Sequence, residues 1–297
     1  MSSSSPSPPT VEDPLAGLPA PVADFLAHKS GRSPNTVATY RNVLVGYLVW
    51  KKSHEIDERS YDRYILHLRT IGRRQNGIAL VATVLREYAK RTKLDTEDWQ
   101  IPKSQAVAVG HLRKDEIAAM RNACMNGSRA EEHLFVFDFL VGSGVRVGEF
   151  LALRWSDLDL AGDKTWSVRE AKENKTRTGL LTRDALGAAV RYLNHRYDAR
   201  VTPAESRQLS DNLSPIRTRS AIDKMLSSVA DRAGLAARGV HAHMLRHTFA
   251  VLWLEKGLDV RRLQLHLGHS SLETTAHYLQ LVAGEEMKRL PDMSLSR

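Results

Sequence analysis

Helical spacing of apolar residues is the feature that most restricts the fold of this 297-residue chain. Ser33 and Pro34, a capping hydroxyl followed by a proline, predict the start of a helix whose apolar side chains recur at intervals of three and four from Val37 to Leu48. Comparable patterns predict further helices over residues 60–71, 78–90, 114–125, 131–140, 147–153, 184–196, 218–233, 243–256, 259–267 and 272–279. The chain is therefore expected to be mainly helical.

One short segment departs from this pattern. Residues 165–168 and 178–181 read as two strands, joined by the charged turn AKENKTR. We therefore expect a mainly α fold with a small β-sheet, in which a helical-bundle domain precedes a mixed α/β domain.

Changes in composition suggest where the domains begin and end. Residues 1–19 are rich in serine and proline and are expected to be disordered. A weakly patterned stretch that contains Pro102 is expected to be a linker. These features divide the chain into a disordered tail (1–19), a helical domain (20–94), a linker (95–110), a mixed α/β domain (111–290) and a short tail (291–297).

Charge and cysteine content narrow the class of protein. The chain carries 43 Lys and Arg against 34 Asp and Glu, a formal net charge of +9, which favours a polyanionic partner. Cys124 is the one cysteine in the sequence, so an intrachain disulfide is excluded and a reducing, cytoplasmic setting is expected. The N-terminus lacks the pattern of a secretory signal, and no apolar run approaches the ~20 residues of a membrane helix.

The motif GVRVGE follows a long apolar run and is expected to open a helix. Its Arg146 presents paired N–H donors that match the oxygens of a phosphate. Glu149 lies three residues further on, on the same helix face, where it is expected to support Arg146. Taken alone, the motif favours a surface or structural role for Arg146, and a solvated helix carboxylate accounts for Glu149 nearly as well.

The last third of the chain adds a second group of polar residues. Within HAHMLRH, His243 and Arg246 are three apart, so one helical turn directs both to the same point. LGHSS then contributes His269, and Tyr278 follows nine positions later. With Arg146, this set suits the binding of a phosphodiester while a phenol attacks it.

A metal site is the alternative interpretation of the two histidines in HAHMLRH. His243 and His247 are four apart on a helix, as in zinc enzymes with an HExxH motif. The residue after His243 is Met244 rather than glutamate, and no cysteine cluster or third acidic ligand is nearby. The sequence therefore favours a site without metal.

The order of these motifs resembles that of the tyrosine recombinases, the Xer and phage-integrase group of site-specific DNA recombinases. The stretch LGHSSLETTAHY is similar to the family pattern LGHSDLSTTxxY, and SPNTVATYRNVLVGYLVW resembles the start of the family's helical core-binding domain. The resemblance extends over residues 20–290. It implies a core-binding domain followed by a recombinase catalytic domain.

The resemblance also implies a role for each site residue. Tyr278 is the expected nucleophile, His243 exchanges its proton, and His269 hydrogen-bonds the scissile phosphate. The hairpin AKENKTRTGLL is similar to the family's GKGNKERLVPL but lacks its glycines and proline, so either Lys172 or Lys175 is the lysine that protonates the leaving oxygen, with Lys172 the better fit. The implied catalytic set is Arg146, Lys172, His243, Arg246, His269 and Tyr278, supported by Glu149, with no cofactor or metal.

The reaction implied by the resemblance is DNA cleavage and rejoining through a 3′-phosphotyrosyl link, with strand exchange through a Holliday junction and without ATP. The implied partners are double-stranded DNA with a specific core site and three further copies of the chain in a homotetramer, with a second recombinase or accessory protein left open. A nucleoid-associated, cytoplasmic protein is expected. The last 19 residues are expected either to dock on a neighbouring protomer or to form a frayed tail.

Two other functions remain open at this point. A type IB topoisomerase uses the same phosphotyrosine chemistry but relaxes DNA as a monomer. A non-catalytic protein of the same fold would bind DNA without cleaving it and would not need Tyr278. Because few residues precede the first helix, an additional arm-binding domain is not expected, which favours an Xer-like recombinase or a small phage or mobile-element integrase.

Overall fold

The computed structural model describes residues 17–104, 110–170, 175–268 and Tyr278. It divides the chain into two compact units, Met1–Val107 and Ala108–Arg297. Most of the predicted N-terminal tail, the predicted C-terminal tail and most of the predicted helix at 272–279 lie outside the described residues. Among the helices that are described, none is both long and apolar enough to cross a bilayer.

The described part of the N-terminal unit contains four helices, and side-chain caps mark the start of two of them. The Ser33 hydroxyl accepts the Thr36 N–H at 3.2 Å, as the sequence predicts. The third helix starts two residues before its predicted limit because Asp57 and Ser60 cap it reciprocally. The helices are α1 (Ala20–His28), α2 (Pro34–Lys51), α3 (Glu58–Thr70) and α4 (Gln75–Arg91).

Tyrosine side chains fill much of the core of this unit. Tyr47 is buried between the helices, and its hydroxyl lies 2.9 Å from the Ser60 hydroxyl and donates to the Glu55 carbonyl at 3.0 Å. Tyr61 stacks on Trp99 with 4.5 Å between ring centroids. The helices therefore pack through aromatic rings whose polar ends are satisfied within the unit.

The C-terminal unit combines seven described helices with a three-stranded antiparallel sheet of order β1-β2-β3. The helical prediction at 114–125 coincides with α5, and the mainly α fold with a small sheet is confirmed. The helices are α5 (Lys114–Met125), α6 (Ala130–Ser143), α7 (Val147–Ala152), α8 (Arg183–Arg196), α9 (Arg219–Arg232), α10 (Ala242–Glu255) and α11 (Val260–Leu267). The strands are β1 (Leu158–Asp159), β2 (Thr165–Glu170) and β3 (Lys175–Leu180).

The sheet is larger than the sequence predicts. Strand pairing runs from Thr165 opposite Leu180 to Glu170 opposite Lys175, so both strands extend towards the turn beyond their predicted limits. The two-residue strand β1 has no counterpart in the prediction. It pairs Leu158 with Trp166, and its short length leaves no periodic signal in the sequence.

Helix α6 lies at the centre of the C-terminal unit, packed against α8, α10 and α5. Its contact with α8 is close, because a Cβ at Gly142 would lie 2.6 Å from the Thr182 hydroxyl. Gly144 ends the helix with φ of 64°, a left-handed conformation that favours glycine. This turn directs the chain from the buried helix to Arg146 at the start of α7.

Candidate active site

Arg146 occupies the N-cap position of α7, where Glu149 orients it. The Glu149 carboxylate accepts the Arg146 backbone N–H at 2.8 Å and its Nη1–H at 2.9 Å. The Nη2 atom of Arg146 donates to the Gly268 carbonyl at 2.7 Å. The side chain remains 41% exposed, so the guanidinium is held from several directions and still open to a ligand.

Arg177 joins this pair from strand β3. Its Nη2 lies 2.6 Å from Glu149 Oε1, and its guanidinium lies 4.8 Å from the ring centroid of Trp166. Its Nη1 donates to the His266 carbonyl. Burial alone raises the pKa of the Glu149 carboxyl, but Arg177 and Arg146 outweigh it and hold that pKa below its ordinary value. Glu149 is therefore an anion shared by two arginines.

Arg246 lies on α10 and is only 2% exposed. It donates from Nη1 to the Gly144 carbonyl at 2.8 Å and from Nη2 to the Leu267 carbonyl at 2.5 Å. Burial and then repulsion from Arg146 lower its pKa to about 9, so it carries a positive charge at neutral pH. Arg146 and Arg246 thus converge on the consecutive carbonyls of Leu267 and Gly268, at the end of α11.

His266 joins three elements beneath these arginines. Its Nε2 donates to the Ser143 carbonyl at 2.7 Å, and its Nδ1 accepts the Leu180 N–H at 3.3 Å. Burial lowers its pKa to about 4, with the charges of Arg177 and Arg246 acting in the same direction, so the ring is neutral at pH 7. His266 thereby fixes α11 to α6 and to strand β3.

Tyr278 is buried beside α10, with 2% exposure. Its hydroxyl oxygen lies 2.5 Å from Nδ1 of His247. Burial raises the pKa of the phenol, and the positive charge of Arg246 opposes that rise. His243 contacts the His247 ring edge to face, with 4.3 Å between ring centroids. Lost hydration and the charge of Arg246 lower the pKa of His243.

The structure therefore brings together Arg146, Glu149, Arg246, His243 and Tyr278, all named from the sequence. Lys172 and His269 lie outside the described residues. The competing Lys175 is described only by its backbone pairing with Glu170. His241, two positions before His243, occupies the N-cap position of α10, and its Nδ1 lies 2.9 Å from the Gly239 carbonyl.

Three residues of this network have no role in the sequence prediction. Arg177 lies in the hairpin from which the resemblance implies only a catalytic lysine. His247 matches a position that the resemblance does not mark as catalytic. His266 sits on an apolar helix face, where the pattern predicts a core residue. Within the described ranges, no group of three or more His, Cys, Asp or Glu side chains lies close enough to hold a metal ion.

Comparison of the sequence with known proteins identifies the family. The sequence model of the Phage integrase family matches residues 111–285. Tyrosine recombinase XerA of Thermococcus onnurineus is 31% identical over 255 residues, which cover 84% of this chain and 86% of that protein. Tyrosine recombinase XerD of Rickettsia prowazekii is 27% identical and covers 90% of this chain and 93% of its own length.

A solved structure shows the same fold. The Tn1549 transposon integrase, in complex with transposon right-end DNA, superposes with a TM-score of 0.66 at 15% sequence identity, covering 91% of this chain and 98% of that one. The chain therefore belongs to the phage integrase family. Within this family it is a tyrosine recombinase, as the motif resemblance predicts.

Proposed function

We propose that this recombinase cuts and rejoins duplex DNA at a specific core site through a 3′-phosphotyrosyl link to Tyr278. The observation that carries the proposal is the convergence of Arg146 and Arg246 at the end of α11, with the Tyr278 phenol buried beside α10. Two cations held in fixed positions suit the negative charge that develops on phosphate oxygens during attack. The protein–DNA link preserves the energy of the broken ester, so rejoining needs no ATP.

The remaining roles follow from the same proposal. Lys172, or Lys175 in its place, supplies a proton to the leaving 5′ oxygen, and His269 hydrogen-bonds the phosphate. We assign His243 to a phosphate oxygen, because it is close enough to Arg246 and Arg146 for their charges to lower its pKa. Glu149 and Arg177 orient Arg146 without touching the substrate.

DNA binding and assembly are part of the proposal. The net charge of +9 favours a polyanion, and the Tn1549 integrase that shares this fold was solved with DNA. We assign core-site binding to the helical domain at 20–94 and catalysis to the domain at 111–290. Strand exchange between two duplexes through a Holliday junction then requires four protomers.

The test is covalent capture of DNA. The full chain is incubated with a library of duplexes that carry a randomised core, denatured, and DNA bound to protein is recovered and sequenced. We expect a 3′ adduct from the wild type and none from Tyr278→Phe. His195→Asn, an exposed change on α8, is the control and should match the wild type.

Three outcomes would contradict this function. Salt-sensitive DNA binding without any adduct would indicate a non-catalytic DNA-binding protein. An adduct at sites without common sequence, together with relaxation of supercoiled plasmid by the monomer, would indicate a topoisomerase instead. An adduct that persists in Tyr278→Phe would show that another residue is the nucleophile.

A further inference from the structure

His247 is the histidine whose ring nitrogen meets the hydroxyl of Tyr278. The 2.5 Å separation between Nδ1 and the phenolic oxygen is within hydrogen-bond reach. The two ring centroids are 5.6 Å apart. His243, to which the sequence assigns the exchange of this proton, contacts the His247 ring edge to face.

A buried phenol needs a nearby base before it can attack. A free tyrosine has a pKa of about 10 and is mostly protonated at neutral pH. Burial of Tyr278 raises its pKa further, and the positive charge of Arg246 opposes that rise. The Arg246 guanidinium cannot accept the proton itself, because it has donors and no acceptor. The proton must therefore pass to a neighbouring acceptor at the moment of attack.

We propose that His247 takes the Tyr278 hydroxyl proton during DNA cleavage and returns it during rejoining. The inference rests on the proposed function. The lone pair of Nδ1 accepts the proton, so that the imidazole, already protonated at Nε2, becomes an imidazolium. The phenolate oxygen bonds to phosphorus as the bond from phosphorus to the 5′ oxygen breaks, and that oxygen is protonated by the hairpin lysine.

Rejoining reverses each step. A 5′ hydroxyl gives its proton back to the lysine and attacks the phosphotyrosine, and the departing phenolate recovers its proton from His247. This assignment leaves His243 to the phosphate, where the charge of Arg246 is also required. The two histidines on one helix face thus act on different groups: His247 on the attacking phenol and His243 on the phosphate.

Asparagine is the matched substitution at His247. Its side-chain oxygen can accept a hydrogen bond where Nδ1 does, but it is far too weak a base to take the proton. The substrate is a nicked duplex with the core sequence recovered from wild-type adducts. We expect His247→Asn to bind it normally and to form the adduct roughly 100-fold more slowly or worse, within the range typical of a lost general base. His195→Asn should react like the wild type.

A second substrate separates this role from that of the leaving-group acid. In a duplex with sulfur in place of the bridging 5′ oxygen, the leaving group is a thiolate, which departs without being protonated. The defect of His247→Asn should persist on it, whereas the defect of Lys172→Ala or Lys175→Ala should be relieved. Relief of the His247→Asn defect would overturn the proposal, as would an adduct rate equal to or above that of the wild type on either substrate.

A measurement on the unaltered active site covers the case in which His247→Asn does not fold. Nitrogen NMR of histidine-labelled protein should show an unprotonated, hydrogen-bonded Nδ1 whose signal shifts in Tyr278→Phe. An Nδ1 that carries the proton in the resting protein would overturn the proposal. If the wild type forms no adduct at all, the proposed function itself fails, which is a different result.

Discussion

The two units of the molecule bury different kinds of side chain. Among the described residues of the N-terminal unit, the buried polar ones are Ser60 and Thr96, and the buried aromatic side chains are tyrosines, Phe25 and Trp99. In the C-terminal unit, charged and titratable side chains reach the interior: Glu116, Asp138, Arg177, Arg246 and His266.

This difference shows where each unit can act. Burial raises the pKa of Tyr61 in the N-terminal unit to about 12, so that interior stays neutral. The DNA contacts that we propose for this unit must therefore come from its surface. In the C-terminal unit, removing an ion from water costs several kcal/mol. Arg246 bears that cost where a phosphate is expected, and its position is already fixed before DNA arrives.

Replacing Arg246 should have the largest effect on stability and activity. Arg246→Leu leaves the buried carbonyls of Gly144 and Leu267 without their donors, so we expect a loss of about 2–5 kcal/mol in the free energy of unfolding and no DNA cleavage. Arg246→Lys keeps the charge but not the paired geometry, and should still lose roughly 100-fold in cleavage rate or more. Urea titration and covalent adduct formation measure these changes.

An exposed arginine of the same unit provides the matched control. Arg207 is 61% exposed and lies 3.6 Å from Asp159, so Arg207→Leu should change the free energy of unfolding by less than about 0.5 kcal/mol. If Arg246→Leu proves as stable as Arg207→Leu, the buried arginine does not hold the C-terminal unit together and the contrast between the units is lost.

His266 should make the stability of the C-terminal unit depend on pH. Its pKa is lowered from 6.5 to about 4 in the folded protein. Between these values the unfolded chain binds the proton and the folded protein resists it, so stability is complete above pH 6.5 and falls as pH decreases towards 4. With about 1.4 kcal/mol for each pKa unit, the loss approaches ~3 kcal/mol.

Glutamine at position 266 tests this pH dependence. Its amide can donate to the Ser143 carbonyl and accept the Leu180 N–H, as the neutral imidazole does, but it does not titrate. The free energies of unfolding of wild type and His266→Gln are measured by urea titration from pH 8 to pH 4. Their difference should be constant above pH 6.5. Below pH 6.5 the wild type should lose stability relative to His266→Gln. A constant difference over the whole range would contradict the prediction.

The helices can be predicted from the sequence because local signals mark them. The predicted range 114–125 coincides with α5, and Ser33 caps α2 as expected. Differences arise where a limit depends on a side-chain contact or on a partner strand. The Asp57 carboxylate accepts the Ser60 N–H at 2.7 Å and starts α3 early. Likewise, strand β2 continues to Glu170 because β3 lies opposite, which no local pattern reports.

The site can be predicted only to the extent that its residues lie in motifs. Spacing groups His243 with Arg246, and the resemblance adds Tyr278 to them. The contact of Arg177 with Glu149 joins two separate segments, and one sequence contains no signal for such a pairing. The choice between His243 and His247 as the neighbour of Tyr278 depends on the direction of each ring, which spacing along one helix does not define.

A neutral hydrogen bond in the N-terminal unit should matter less than either buried ionisable side chain, Arg246 or His266. Tyr47→Phe keeps the buried ring but removes the contacts of its hydroxyl with Ser60 and the Glu55 carbonyl, so we expect a loss of about 1 kcal/mol in the free energy of unfolding. Tyr40→Phe, which gives up a single 3.2 Å bond to Glu87, should lose less. Urea titration measures both. A loss at Tyr47 as large as that of Arg246→Leu would mean that neutral hydroxyls stabilise this protein as strongly as buried charges do.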